Sequence, residues 1–94
     1  MNYMEIVLLT QNSIRIKDKQ ASFVVDPQEK VSADAYLLLK NPAHVVKAEE
    51  ETVIISGPGE YEIGGVKLSG IRAETNSVYS LNVGGVAVLV GDIK

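Results

Sequence analysis

Protein chemistry needs nucleophiles, paired titratable groups or metal ligands, and this sequence holds few of them. It contains one histidine, His44, and no cysteine. Without cysteine, disulfides, thiolate catalysis and zinc–sulfur sites are excluded. A lone imidazole beside Pro42 and Val45 reads as structural, because a zinc centre usually draws several imidazole or carboxylate donors. Ser13 has only His44 as a candidate base and no nucleophile-elbow context, which argues against a serine hydrolase. Glu60 and Glu62 lie two apart on an expected strand and so share a face. An acid–base pair is one reading of them, and a solvated face is the simpler one. Glu49-Glu50-Glu51 reads as a solvated charge run. Gly57-Pro58-Gly59 and the two Gly-Gly pairs lack the Lys-Ser/Thr and the helix of a phosphate-binding loop, so they read as turns. Asp26 and Asp92 stand apart. Each ends a β-branched apolar run, and strand C-termini are where ligand groups gather in open sheets. The competing explanation is an aspartate that hydrogen-bonds the backbone of its own turn.

The elements that must position these residues are short strands. Gly, Pro, Asn and Asp punctuate the chain at strand-length intervals. Ile6–Leu9 is a continuous apolar run. Ile14–Lys17 alternates apolar and polar, the period of a half-buried strand. Asp18-Lys19-Gln20 reads as a turn, and Ser22–Val25 as a strand that stops at Asp26-Pro27, since proline lacks a ladder donor. Ala35–Leu39 reads as a buried strand rather than a helix, because Asn41-Pro42 follows at once. Asn41–Glu51 holds the one stretch with helical character, at most one or two turns. Val53–Ile55 ends in the Ser56-Gly57-Pro58-Gly59 turn signal. Glu60–Ile63 and Val66–Ser69 flank Gly64-Gly65, and Val78–Val83 and Val86–Val90 flank Gly84-Gly85. Both read as hairpins in one meander, because Gly-Gly supports the positive-φ turns that match strand twist.

The 94 residues suit one domain with a modest core, and 46% are apolar, too many for a disordered chain. The net charge of −3 gives no reason to expect nucleic acid or an anionic membrane as partner. Met1–Thr10 has neither the basic start nor the small-residue cleavage site of a signal peptide. The longest apolar runs, Tyr36–Leu39 and Val86–Val90, are far too short to span a bilayer. A small disulfide-free fold of this kind fits the cytoplasm.

The order of these pieces resembles the N-terminal half of the metallo-β-lactamase superfamily, especially the metal-dependent hydrolases similar to ascorbate-6-phosphate lactonase. Members open with a strand, a Gly-His-Ser/Ala segment and a second strand, a place held here by Leu8–Ile16. A strand ending in Asp-Pro follows, matched by Phe23–Pro27. Ala-Asp and an apolar strand come next, matched by Ala33–Leu39. The most specific match is Pro58-Gly59-Glu60-Tyr61-Glu62-Ile63-Gly64-Gly65-Val66, nearly identical to a segment common in that branch. Val86–Val90 with Gly91-Asp92 matches the hairpin whose aspartate is a metal ligand. The resemblance covers essentially the whole chain and about half of the family's domain. It implies a mostly β fold, half of an αβ/βα sandwich, with short antiparallel strands, hairpins and little helix across residues 1–94.

The departures bear on function. Where the family carries His-x-His-x-Asp-His, the sequence has Lys40 and Pro42 for the first two histidines, His44 for the aspartate and Val45 for the last histidine. Of the first-half ligands only Asp92 keeps its place, and the family's later histidines would lie beyond Lys94. The resemblance therefore implies a degenerate, metal-free site without catalytic residues or cofactor, whose vestigial cleft would be Asp26, Lys40, His44 and Asp92. The leading expectation is a non-catalytic structural or self-associating module. One alternative is a metal-dependent hydrolase complete only with a missing C-terminal half or in an oligomer. Another is a small-molecule binder at the vestigial cleft. In the family each half contributes one sheet to a two-sheet sandwich. Leu37-Leu38-Leu39 and Val86–Val90 both read as strands buried on two faces. A homodimer or higher oligomer is thus expected, with a second copy supplying the second sheet.

Overall fold

The structure is a computed structural model that describes residues 4–9, 13–39, 51–73, 76–83 and 85–91. It contains nine strands and no helix among the described residues. They are β1 (Glu5–Leu8), β2 (Ile14–Lys17), β3 (Ser22–Val25), β4 (Ala35–Leu38), β5 (Val53–Ser56), β6 (Gly59–Ile63), β7 (Val66–Ala73), β8 (Asn76–Val83) and β9 (Val86–Val90). Each falls on a run that the sequence marks as a strand. Of the stretch with helical character, residues 41–50 lie outside the described residues, and Glu51 sits in a turn.

Local chemistry explains the boundaries. The β2–β3 turn is closed by Asp18, whose Oδ1 accepts from the backbone N–H groups of Gln20 (2.7 Å) and Ala21 (2.9 Å). β6 and β7 meet at Gly64-Gly65, with φ of 56° and 86°, and the Ile63–Val66 pair closes a two-residue hairpin. Glycine is needed at 64 for a second reason. A Cβ there would stand 2.9 Å from the Gln20 carbonyl oxygen, so this turn seats directly on the β2–β3 turn.

The strands form two sheets. One has the order β1-β2-β3-β4-β5 and the other β6-β7-β8-β9. The second is antiparallel throughout, as are β1–β2 and β2–β3. The β3–β4 and β4–β5 ladders are parallel, so each needs a crossover, made by residues 26–34 and 39–52. Both sheets arise within one chain. This corrects the expectation that a second copy supplies the second sheet: the meander after Gly57 folds back onto the first sheet.

The core lies between the sheets. Ile16, Phe23, Val25, Leu37 and Ile55 from the first meet Val66, Leu68, Tyr79, Leu81 and Val83 from the second. Alternate residues of β3 and β8 point into it, the period-two signature of a half-buried strand, whereas all four residues of β1 are exposed. Polar ties also cross between the sheets. The buried Tyr79 hydroxyl donates to the Leu38 carbonyl (2.8 Å) and accepts from the Gly57 N–H (3.1 Å). The Ser77 N–H donates to the Leu39 carbonyl at 2.7 Å. A smaller cluster of Val24, Tyr36 and Leu38, with Leu9, Val31 and Ala33 against it, covers the middle of the first sheet's outer face. There the Tyr36 hydroxyl donates to the Val31 carbonyl (2.6 Å) and accepts from the Val31 N–H (3.1 Å).

β4 is therefore buried on both faces, as expected. β9 is not. Val90 is buried and Val88 half-buried, but Ala87 and Leu89 face solvent and Val86 is partly open. The reason is position: β9 is an edge strand of the second sheet, whose outer side carries Lys67 and Ser80 and is solvated. No helix among the described residues is long and apolar enough to cross a membrane.

Candidate functional site

Of the four cleft residues expected from sequence, Asp26 is described. Lys40, His44 and Asp92 lie outside the described residues. The residues that lead to them converge on one end of the sandwich. Asp26 follows β3. Leu39, just before Lys40, donates its N–H to Asp26 Oδ1 (3.0 Å) and accepts from Ser77 N–H. Gly91, just before Asp92, packs on Val78, where an added Cβ would stand 3.1 Å from Cγ2. Val78 neighbours Ser77, so the ends of β3, β4 and β9 meet around one short stretch of β8.

Asp26 is the residue whose chemistry the structure defines best. Its φ is +45°, the left-handed region that aspartate tolerates better than most side chains. Its N–H donates to the Leu37 carbonyl (3.0 Å), its carboxylate holds Leu39 N–H, and its own carbonyl accepts from Gln28 Nε2 (3.1 Å). The carboxylate thus continues the β3–β4 ladder one residue past its last backbone bond. These bonds are of the turn-bonding kind. Asp34 does similar work at the other end of the same strands, where its Oδ2 accepts from Ser22 N–H (2.8 Å).

The remaining candidates resolve into scaffold as well. Ser13 is buried, and its hydroxyl donates to the Val25 carbonyl (2.9 Å). Glu60 accepts from Ser69 Oγ (2.8 Å), and Glu62 sits across from Lys67 in the β6–β7 ladder. Both glutamates are exposed on the outer side of the second sheet, and no acid–base pair forms between them. In the Pro58–Val66 segment, Tyr61 donates its hydroxyl to the Gly57 carbonyl (3.0 Å), closing the turn that swings the chain into the second sheet.

A cavity of about 330 Å³ went unread in the sequence. Leu8, Leu9, Ser13, Pro27, Gln28, Glu29 and Val31 line it. It is mostly apolar, with Glu29 as its charged group, and includes Pro27, the residue after Asp26. Its lining comes from two separate loops whose meeting no local pattern announces.

No protein-family model matches the chain, and no curated protein matches it. A solved structure does. It is a Thermotoga maritima protein described as a zinc-dependent hydrolase of the metallo-β-lactamase superfamily, with a TM-score of 0.72 and 23% identity, and the match covers 93% of this chain and 48% of that one. The fold is that of about half a metallo-β-lactamase-type chain. At this identity the likeness speaks for the fold alone. Among the described residues no group of three or more His, Cys, Asp and Glu is placed to hold a metal ion. The expected-cleft carboxylate, Asp26, is engaged with a backbone amide, and Ser13 is tied to a carbonyl.

Proposed function

We propose that this chain is a metal-free relative of the metallo-β-lactamase-fold hydrolases, carrying a degenerate metal motif and acting as a structural, self-associating module. One observation carries the reading. β4 ends at Leu38, two residues before Lys40, where by resemblance the superfamily's His-x-His-x-Asp-His motif would begin. The residues that follow, Lys40, Pro42, His44 and Val45, put a cation and two side chains without a donor atom among its ligand positions. A cation in a ligand position repels the metal it replaces, and a zinc site needs deprotonated donors in sufficient number. The Pro58–Val66 segment supports the nearer resemblance, to hydrolases similar to ascorbate-6-phosphate lactonase. Its residues build a turn and a hairpin, so it speaks for descent of the scaffold rather than for chemistry.

A second reading rests on the structural neighbour, since this chain spans 48% of a protein described as a zinc-dependent hydrolase. On that reading the 94 residues are the part of a hydrolase that becomes active only with further ligands from another segment or chain. Elemental analysis of the chain, purified without chelator, separates the two. The proposal expects zinc, iron and manganese all well below one equivalent. One or more tightly held metal ions per chain would overturn it.

A further inference from the structure

We infer that Asp26 is a positioning residue that acts through Leu39. Its carboxylate fixes the end of β4, and through the Leu39 carbonyl it holds Ser77 of the second sheet against the first. This role is separate from self-association and from metal binding.

Hydrogen bonds from both sheets grip Leu37–Leu39, where β4 ends. Asp26 grips from the first sheet: its N–H donates to the Leu37 carbonyl (3.0 Å) and its Oδ1 accepts from the Leu39 N–H (3.0 Å). β8 grips from the second sheet. The Tyr79 hydroxyl donates to the Leu38 carbonyl (2.8 Å), and the Ser77 N–H donates to the Leu39 carbonyl (2.7 Å). The two grips meet at Leu39, whose N–H is held by the first sheet and whose carbonyl is held by the second. Leu39 and Ser77 are both buried, so neither bond is readily replaced by water.

The sequence needs an aspartate here for a reason the ladder supplies. The last β3–β4 pair is Val25 with Leu37, so strand pairing ends before the Leu39 N–H is reached. At Asp26 the main chain takes a φ of +45° and leaves the sheet for Pro27. The side chain stays behind, and its carboxylate stands where a further strand carbonyl would have been. An ionised acceptor makes the stronger bond to an amide, and aspartate tolerates the left-handed backbone. Removing that carboxylate strips a part-buried N–H of its acceptor. Leu39 is then free to shift, and the carbonyl that Ser77 bonds shifts with it. Hydrogen bonds that share a residue are lost together in this way. Asp34, at the other end of the same strands, is the natural contrast. Its carboxylate holds the Ser22 N–H (2.8 Å), and its backbone bonds Ser22 and Val53, all within the first sheet.

Amide hydrogen exchange, read residue by residue in NMR spectra of the 94-residue chain, tests this. Asp26→Gly keeps the left-handed backbone and removes the carboxylate. Exchange at both Leu39 and Ser77 is expected to quicken about tenfold relative to the amides of the β7–β8 ladder. Asp26→Asn keeps an acceptor oxygen on a residue that tolerates the same backbone, so both amides should regain protection. Asp34→Ala should quicken Ser22 and leave Ser77 as it is. Should Asp26→Gly fail to fold, the parent chain in sub-denaturing urea carries the test. Leu39 and Ser77 are then expected to open together, with one dependence on urea. An Asp26→Gly chain that loses protection at Leu39 and keeps it at Ser77 would overturn the coupling. So would a parent chain in which the two amides open separately. Equal quickening of Ser77 in Asp34→Ala would overturn it as well, because the loss would then be global.

Discussion

β4 and β9 are nearly interchangeable as sequence and opposite as structure. Ala35-Tyr36-Leu37-Leu38 and Val86-Ala87-Val88-Leu89-Val90 are both unbroken apolar runs without charge. β4 has a strand on each side, the second sheet on one face and the Tyr36–Val31 cluster on the other, and all four of its residues are buried. Among the described residues β9 has one neighbouring strand and one covered face, and Leu89 stands in solvent. The contrast teaches that an apolar run states what a strand can be buried by, while the order of strands in the sheet decides what covers it.

Substitution at matched leucines gives the largest effect. Leu37→Ala removes a fully buried side chain between the sheets and is expected to cost about 2–5 kcal/mol, read as a lower urea midpoint. If it cost no more than a surface change, β4 would not be the two-sided strand described here. Tyr79→Phe comes next. It deletes the hydroxyl that joins Leu38 to Gly57 and leaves a part-buried N–H without its acceptor, an expected loss of about 1–3 kcal/mol. A neutral result would mean that the two sheets are not tied at this point. The smallest effect belongs to β9. Leu89→Ala, measured on the dilute monomer, should stay within about 0.5 kcal/mol of the parent. A cost like that of Leu37→Ala would erase the distinction between the two strands.

The positions of the strands were legible because their ends are written in local chemistry. Asp18 closes its turn with its own carboxylate, Gly64-Gly65 supplies two positive-φ residues, and Asp26-Pro27 halts β3. The partition into two sheets was not legible. Which strands pair is decided by packing across long sequence separations, as between Tyr79 and Leu38, and no period in the sequence encodes it. That gap led to the expectation that a second copy would provide the second sheet. The site was legible in part. Asp26 was singled out for standing at the end of a strand, where ligand residues and turn-bonding residues look alike. The Leu39 N–H at 3.0 Å from its Oδ1 shows the turn-bonding half of that pair. The cavity beside it needs Leu8, Leu9 and Ser13 to meet Pro27–Glu29 and Val31, which is a property of the folded chain.

The central claim is that this half of a metallo-β-lactamase-type fold works without metal. Zinc titrated into the isotope-labelled chain, followed residue by residue in amide NMR spectra, tests it most directly. The account predicts that the amide signals of Asp26, Leu39 and Gly91, at the strand ends where a ligand set would gather, stay in place through one equivalent of zinc. Shifts at those three residues that saturate at one zinc per chain would contradict it.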